Sequence, residues 1–289
     1  MEQIIANGLY LGAQYALIAL GLTLIFSLMN VLNFAHGQMY VLGGFVTYTI
    51  VAQFGLPFIV GLLASAVILA AVGAAVEKFL FAPVIRKSKR EESTMLLAAG
   101  IAFFLDAVIL LVFGEKQRGV PKIVNGVFNW DFRIIMPYDR ILIGVLAIAM
   151  IASFILFMQY TKAGRAMRAL AQDRMAAELM GVDVKRYSML GFALGAMLAG
   201  LVGGLLVTIT GINLGMGGPT SIKAFMMIMI GGAGVISGAI AGGFILGMME
   251  SIGLTLLAAY GDITYLVIFA SLMVFLAIRP QGLMGKPWG

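Results

Sequence analysis

The chain has 289 residues, of which 62% are hydrophobic and only 11% charged, against about 25% charged in a soluble domain. Folded in water it would leave too much apolar surface exposed, so a soluble enzyme or binding module is excluded and the bilayer must be its solvent. The formal net charge of +6 would suit a nucleic acid, but in a membrane chain basic residues mark the orientation of loops, and no nucleic-acid partner is expected. There is no Cys and a single His, so disulfides, thiolate metal sites and His-based metal clusters are all ruled out.

A crossing helix needs about 20 apolar residues. Reading along the chain, the candidate spans are 4–29, 36–53, 57–82, 93–114, 140–160, 188–211, 221–235, 236–257 and 263–279. The first, within MEQIIANGLYLGAQYALIALGL, has no basic leader region and no A-x-A cleavage site, so it reads as a mature transmembrane helix. Spans 36–53 and 221–235 are short, and the first opens on polar residues; both read as half-helices that start inside the membrane. Pro57, Pro83, Pro137, Pro219 and Pro280 stand at predicted helix ends, where a missing N–H costs little. The expectation is an all-α polytopic membrane protein of eight or nine spans, including short or broken helices. Most of the 37 glycines lie inside apolar runs, as close helix packing in lipid requires. The 20 methionines read as soft packing.

Basic residues concentrate in three places: Arg86, Lys87, Lys89 and Arg90 in loop 83–92, the segment 161–187, and Arg279 with Lys286 in the tail. All three share one face if the spans alternate, and that face is the cytoplasm. Loop 115–139 holds Lys116, Arg118, Lys122 and Arg133 but is longer and diluted by acids, and reads as extracytoplasmic. Nine crossings then place the N-terminus outside.

GLTLIFSLMNVLNFAHGQMYVLGGF (21–45) parallels GLLVTITGINLGMGGPTSIKAFMMIMIGG (204–232). Each is an apolar helix, an Asn/Gly-rich break, and a short apolar helix ending in Gly-Gly, and the two run in opposite directions. This is the pattern of inverted repeats whose broken helices meet around a substrate path, or a chance likeness between Gly-rich apolar segments. Polar residues at membrane depth are costly and by default functional. The first break supplies Asn30, Asn33, His36 and Gln38; the second supplies Thr208, Thr210, Asn213, Thr220 and Ser221. From these, Asn30, Asn33, His36, Gln38, Thr208, Asn213 and Ser221 are expected to line the translocation path, with local helix capping as the alternative for any one of them. His36 is either a bridge between the breaks or a substrate contact. Asp106 and Glu250, each inside a span, are either ion sites or partners of Lys78 or Lys223, and pairing is the preferred reading.

Segment 161–187, TKAGRAMRALAQDRMAAELMGVDVKRY, is a polar, basic island of two short helices between apolar runs. Asp173 can cap the second helix and Gly181 can end it in the left-handed conformation. The small pair Ala176-Ala177 would leave that helix a bare flank suited to a partner's groove. A cytoplasmic motor gripping this knob would hold Gly164, Arg165, Arg168, Asp173, Ala176, Ala177 and Gly181; the alternative is an ordinary basic loop that only orients the protein.

MAAELMG (175–181) resembles the E-A-A-x-x-x-G core of the cytoplasmic loop in ABC importer permeases, with Met175 in place of the Glu. GRAMRALAQDRMAAELMGVDV (164–184) resembles that loop in branched-chain amino acid permeases of the LivH/LivM type, and ALIALGLTLIFSLMNVLNFAHGQMYVLGGF (16–45) resembles the N-terminal signature of the LivH branch. The ending IRPQGLMG (278–285) is similar to the family's R-P-x-G-L-x-G tail. Permeases for urea and short amides look very similar. The resemblance implies an inverted-repeat ABC importer permease of the bacterial inner membrane: one domain over 1–289, with 161–187 as its coupling-helix loop. It implies as partners a second homologous permease, two cytoplasmic ATPases and a periplasmic substrate-binding protein. No cofactor is expected in this chain, since ATP and Mg would sit on the ATPases. The residues agree with a transport subunit rather than an enzyme: no G-x-x-x-x-G-K-[ST] phosphate loop is present, Gly285-Lys286-Pro287 lacking its spacing and hydroxyl, and no catalytic constellation can be built around one imidazole. Two rivals are an ion-coupled secondary transporter using Asp106 and Glu250, and a channel or scaffold; neither accounts for the island.

Overall fold

The computed structural model describes residues 1–87, 91–130, 134–256 and 263–285. Lys89, Arg90, Arg133 and Lys286, counted above among the basic residues, lie outside them. In chain order the elements are α1 (Glu2–Met29), α2 (His36–Tyr48) with a π turn (Thr49–Gln53), α3 (Phe58–Val76) with a π turn (Glu77–Phe81), α4 (Ala82–Lys87) and α5 (Glu91–Phe113). A hairpin follows, β1 (Val127–Trp130) and β2 (Ile134–Pro137). Then come α6 (Tyr138–Tyr160), α7 (Lys162–Gln172), α8 (Arg174–Leu179), α9 (Val184–Leu206), a 3-10 turn (Leu214–Met216), α10 (Gly217–Gly231), α11 (Ile236–Leu256) and α12 (Ile263–Ile278). Among the described residues, six helices are long and apolar enough to cross a membrane: α1, the continuous run Phe58–Lys87, α5, α6, α9 and α11.

α1 is apolar on every side, so it can be buried on every side, and Ala13, Ala16, Leu17, Leu20, Leu24 and Ile25 have no exposure. α11 lies antiparallel along it, at a distance that only glycine permits: a Cβ on Gly247 would meet Gly12 Cα at 2.6 Å, and one on Gly243 would meet Ala16 Cα at 2.5 Å. α9 crosses α1 antiparallel at Gly21 and Gly195, where a Cβ on either would meet the other's carbonyl oxygen at 2.7 Å. α3 packs antiparallel on α9, and Ser65 Oγ there donates to Gly200 O at 3.0 Å. Thus α11 covers α1 as α3 covers α9, with the α1–α9 crossing between them. The outer faces of α3, α5 and α6 expose Leu63, Val67, Phe103, Leu111, Val145 and Leu156.

Two expectations need correction. The helix of span 57–82 does not end at Pro83: it continues to Lys87, so most of the expected loop 83–92 is helical where described. The π turn explains this, because Ala82 N–H bonds to Glu77 O, a wider turn that makes room for the proline ring, which would clash in a regular helix. The expectation is an all-α fold, yet within loop 115–139 the chain forms a hairpin pairing Phe128 with Met136 and Asn129 with Ile135. Asp139 Oδ1 ties the loop down by accepting from Ile123 and Val124 N–H at 3.0 and 2.8 Å. Pro57 and Pro137 do stand immediately before α3 and α6. The tail also has a structural use: Leu283 and Met284 N–H donate to Ile230 and Gly231 O at 2.9 and 3.0 Å, satisfying carbonyls at the end of α10 that a helix leaves without partners.

Candidate functional site

The break after α1 begins at Asn30, the one described non-glycine residue with positive φ, at 53°. Asn tolerates this conformation better than other side chains, and its N–H closes the helix on Phe26 O. Asn33 Oδ1 accepts from Ala35 N–H at 3.1 Å, opening α2. His36 Nε2 lies 3.1 Å from Ile18 O; a carbonyl only accepts, so this nitrogen carries the proton and ties α2 to α1. Gln38 Nε2 donates to both Asp106 oxygens at 3.3 Å, joining α2 to α5.

The second break comes to the first through one hydroxyl. Ser221 Oγ in α10 accepts from Gly37 N–H at 2.9 Å and donates to Phe34 O at 3.0 Å. Gly37 stands so close to α10 that a Cβ would fall 1.9 Å from Gly217 O. The Phe34 and Phe225 rings pack with centroids 5.0 Å apart. The N-terminal ends of α2 and α10 are therefore neighbours, and both carry partial positive charge, although at α2 the Ala35, His36 and Gly37 N–H groups are already taken by Asn33 and Ser221.

The expected path residues divide in two. Asn33 and His36 have no exposure, and Thr208 Oγ1 turns back to Leu205 O at 3.0 Å. Asn33 and Thr208 bond within their own segments and His36 bonds to α1, so of these residues it is Ser221 that joins the two breaks. Asn30 is exposed and Asn213 half-buried. Thr208 and Asn213 belong to the far part of the second break, fixed by the hairpin loop: Arg118 and Ile212 exchange backbone hydrogen bonds at 2.9 and 2.7 Å. The roles of Gly37, Arg118 and Tyr15 have no signal in local sequence, since each depends on a partner more than 90 residues away or on backbone contact alone.

Glu250 pairs as preferred. Lys223 Nζ lies 2.8 and 3.0 Å from its two oxygens, and Tyr15 OH donates to Glu250 while accepting from Lys223 at 2.7 Å. Asp106 meets Gln38 rather than Lys78.

In the island, Thr161 Oγ1 caps α7 by accepting from Gly164 N–H, and Asp173 Oδ1 caps α8 by accepting from Ala176 N–H, each at 2.9 Å. Gly181 ends α8 with φ 84°. Gly164 is buried against Phe157 O and Met158. Arg165 and Arg168 reach Tyr160 O and Gln159 O at 3.5 Å, cations at the negative end of α6. The bare flank expected of Ala176-Ala177 is corrected by half: Ala176 is exposed, but Ala177 is 4% exposed and faces the protein's own interior. The outward apolar patch is instead Met175, Leu179 and Met180, at 75, 83 and 85% exposure.

Residues 4–276 match the family described as "Branched-chain amino acid transport system / permease component". The chain is 33% identical to the high-affinity branched-chain amino acid transport system permease protein LivH of Salmonella typhimurium, over 97% of this chain and 94% of that protein. It is 31% identical to the corresponding permease protein BraD of Pseudomonas aeruginosa, over 99% and 96%. A probable LivH of Methanocaldococcus jannaschii is also 31% identical, over 94% and 89%. In fold it is similar to a chain of PsaBC from Streptococcus pneumoniae in complex with Fab, with TM-score 0.51 and 14% identity, over 96% of this chain and 92% of that one. With the profile matched almost end to end and relatives above 30% identity along the same length, the chain is a multi-pass membrane protein that belongs to the family of branched-chain amino acid transport permeases.

Proposed function

We propose that this chain is the membrane-spanning permease subunit of an ATP-driven importer for branched-chain amino acids in the bacterial inner membrane. The observation that carries the reading is the Ser221 bridge, which brings two interrupted helices together inside a chain of this family. Irregular backbone at membrane depth is tolerated where protein or a water-filled cavity covers it. Paired helix N-termini suit the passing carboxylate of an amino acid.

Nine crossings follow if the run 36–53 and α10 each count as one, with the N-terminus outside and segment 161–187 in the cytoplasm. The antiparallel α1–α9 crossing, and the like packing of α11 on α1 and α3 on α9, support an inverted repeat within a single domain over 1–289. The energy comes from elsewhere: two cytoplasmic ATPases carrying ATP and Mg, which grip α7–α8, with a second homologous permease completing the pore and a periplasmic binding protein delivering substrate. On α8 the docking contact is Met175, Leu179 and Met180, while Gly164, Arg165, Arg168, Asp173, Ala177 and Gly181 hold the knob in shape. The engagement of Glu250 by Lys223 weakens the case for an ion-coupled transporter.

The test is uptake by the complete complex in proteoliposomes. ATP-dependent accumulation of leucine, with urea and acetamide ignored, is the expected result. Accumulation of urea or acetamide with leucine excluded would assign the chain to the amide branch, and uptake driven by an ion gradient without ATP would refute the importer.

A further inference from the structure

Between α10, α11 and α12 lies a cavity of about 420 Å³, lined by Ile222, Met226, Leu246 and Ile268 and, among these apolar walls, by Lys223 and Glu250. Its size falls in the range of about 300–1,000 Å³ of small-molecule sites. The ion pair is open on the lysine side: the Lys223 side chain is 23% exposed, while Glu250 is buried behind it with its side chain 6% exposed. An ion pair is a poor way to stabilise such a place, since apolar residues of the same volume do as well or better, and charged groups at membrane depth mark substrate routes.

We propose that this cavity is a binding station for the transported solute, an α-amino acid with an aliphatic side chain. The assignment rests on the permease reading above. A zwitterion brings one negative and one positive group. Its carboxylate would take the place of Glu250 beside the Lys223 ammonium and the Tyr15 hydroxyl, and its ammonium would take the place of Lys223 beside the Glu250 carboxylate. No charge is left unpaired and the net charge of the cavity does not change, so entry costs little and release is equally easy, as a transport site needs. The aliphatic side chain lies against Ile222, Met226, Leu246 and Ile268. Urea and neutral amides cannot make this exchange. The cavity is joined to the break through α10 itself: Ser221, two residues before Lys223, faces α2 while Lys223 faces α1 and α11, so separating the pair moves the helix that carries the bridge.

The chain has no cysteine, which gives a direct probe. Ile222→Cys on the cavity wall is labelled with a water-soluble thiol reagent in the complete complex in nanodiscs, with L-leucine, leucinamide or isovalerate added. Leucine should slow labelling by about tenfold, while leucinamide, which lacks the carboxylate, and isovalerate, which lacks the amine, should not. In the Lys223→Met/Glu250→Leu double variant, which keeps the volume and removes both charges, leucine should no longer protect and ATP-driven leucine uptake should fall at least as far, with ATPase association retained. Labelling indifferent to leucine in a complex that still imports leucine would overturn the cavity and leave the permease reading standing. Protection that depends on added phospholipid and not on leucine would assign the cavity to an acyl chain and equally overturn it. An unaltered complex that imports no leucine would overturn the permease reading, and the cavity with it.

Discussion

Ser221 shows how much one hydroxyl can hold. Its oxygen serves Gly37 N–H and Phe34 O together, and removing it leaves the buried Gly37 N–H unsatisfied at the start of α2, a loss of about 1–3 kcal/mol. Ser221→Ala should therefore lower unfolding stability in detergent by about 1–3 kcal/mol, measured by denaturant titration, whereas Ser221→Thr should retain most of it; equal stability of the Ala variant would show that the bridge is idle. Gly37→Ala should be worse, because its Cβ has no room beside Gly217 O. The Lys223–Glu250 pair obeys another arithmetic. Glu250→Leu alone strands a cation and should cost about 3–5 kcal/mol, while Lys223→Met/Glu250→Leu should cost little. A double-mutant cycle checks this, and additive losses would contradict it. At this scale the sequence was legible where partners are near: the caps at Asp173 and Gly181 depend on residues three apart or on one backbone angle. It was silent where the partner is remote, as for Tyr15 with Glu250.

At the scale of elements, periodicity and proline marked most helices to within a few residues, because a membrane helix must be both long and apolar. The misreadings have local causes. Pro83 reads as a stop, but a π turn ahead of it lets the helix pass, and nothing in EKFLF announces a wider turn. The strands of the hairpin are four residues each, too short for alternation to show. The small size of Ala177 suggests an outward flank, yet α8 turns it inward. Leu179→Asp and Met180→Asp should abolish co-purification with the ATPases while the permease still inserts and folds. Ala177→Trp should instead loosen the island itself, seen as faster proteolytic cutting between 161 and 187. Full ATPase association by the Asp variants would move the docking surface elsewhere.

For the whole molecule, the pattern is two crossed helices, α1 and α9, each backed by an antiparallel partner and each followed by a break. The pairing at Gly21 and Gly195, where each backbone touches the other, was not visible in the sequence repeat, which aligned Gly21 with Gly204. The breaks themselves were visible as polar clusters in apolar sequence, but which side chains line a route and which only close it was not, since capping and lining use the same residue types. The central claim is that the junction of the breaks must open for solute to pass. Replacing Phe34 and Phe225, whose rings are 5.0 Å apart, by cysteines allows the junction to be locked with a short bifunctional thiol reagent in the complete complex. Leucine uptake driven by ATP should fall to background on cross-linking and return when a cleavable linker is reduced; a cross-linked complex that imports leucine at the full rate would contradict the account.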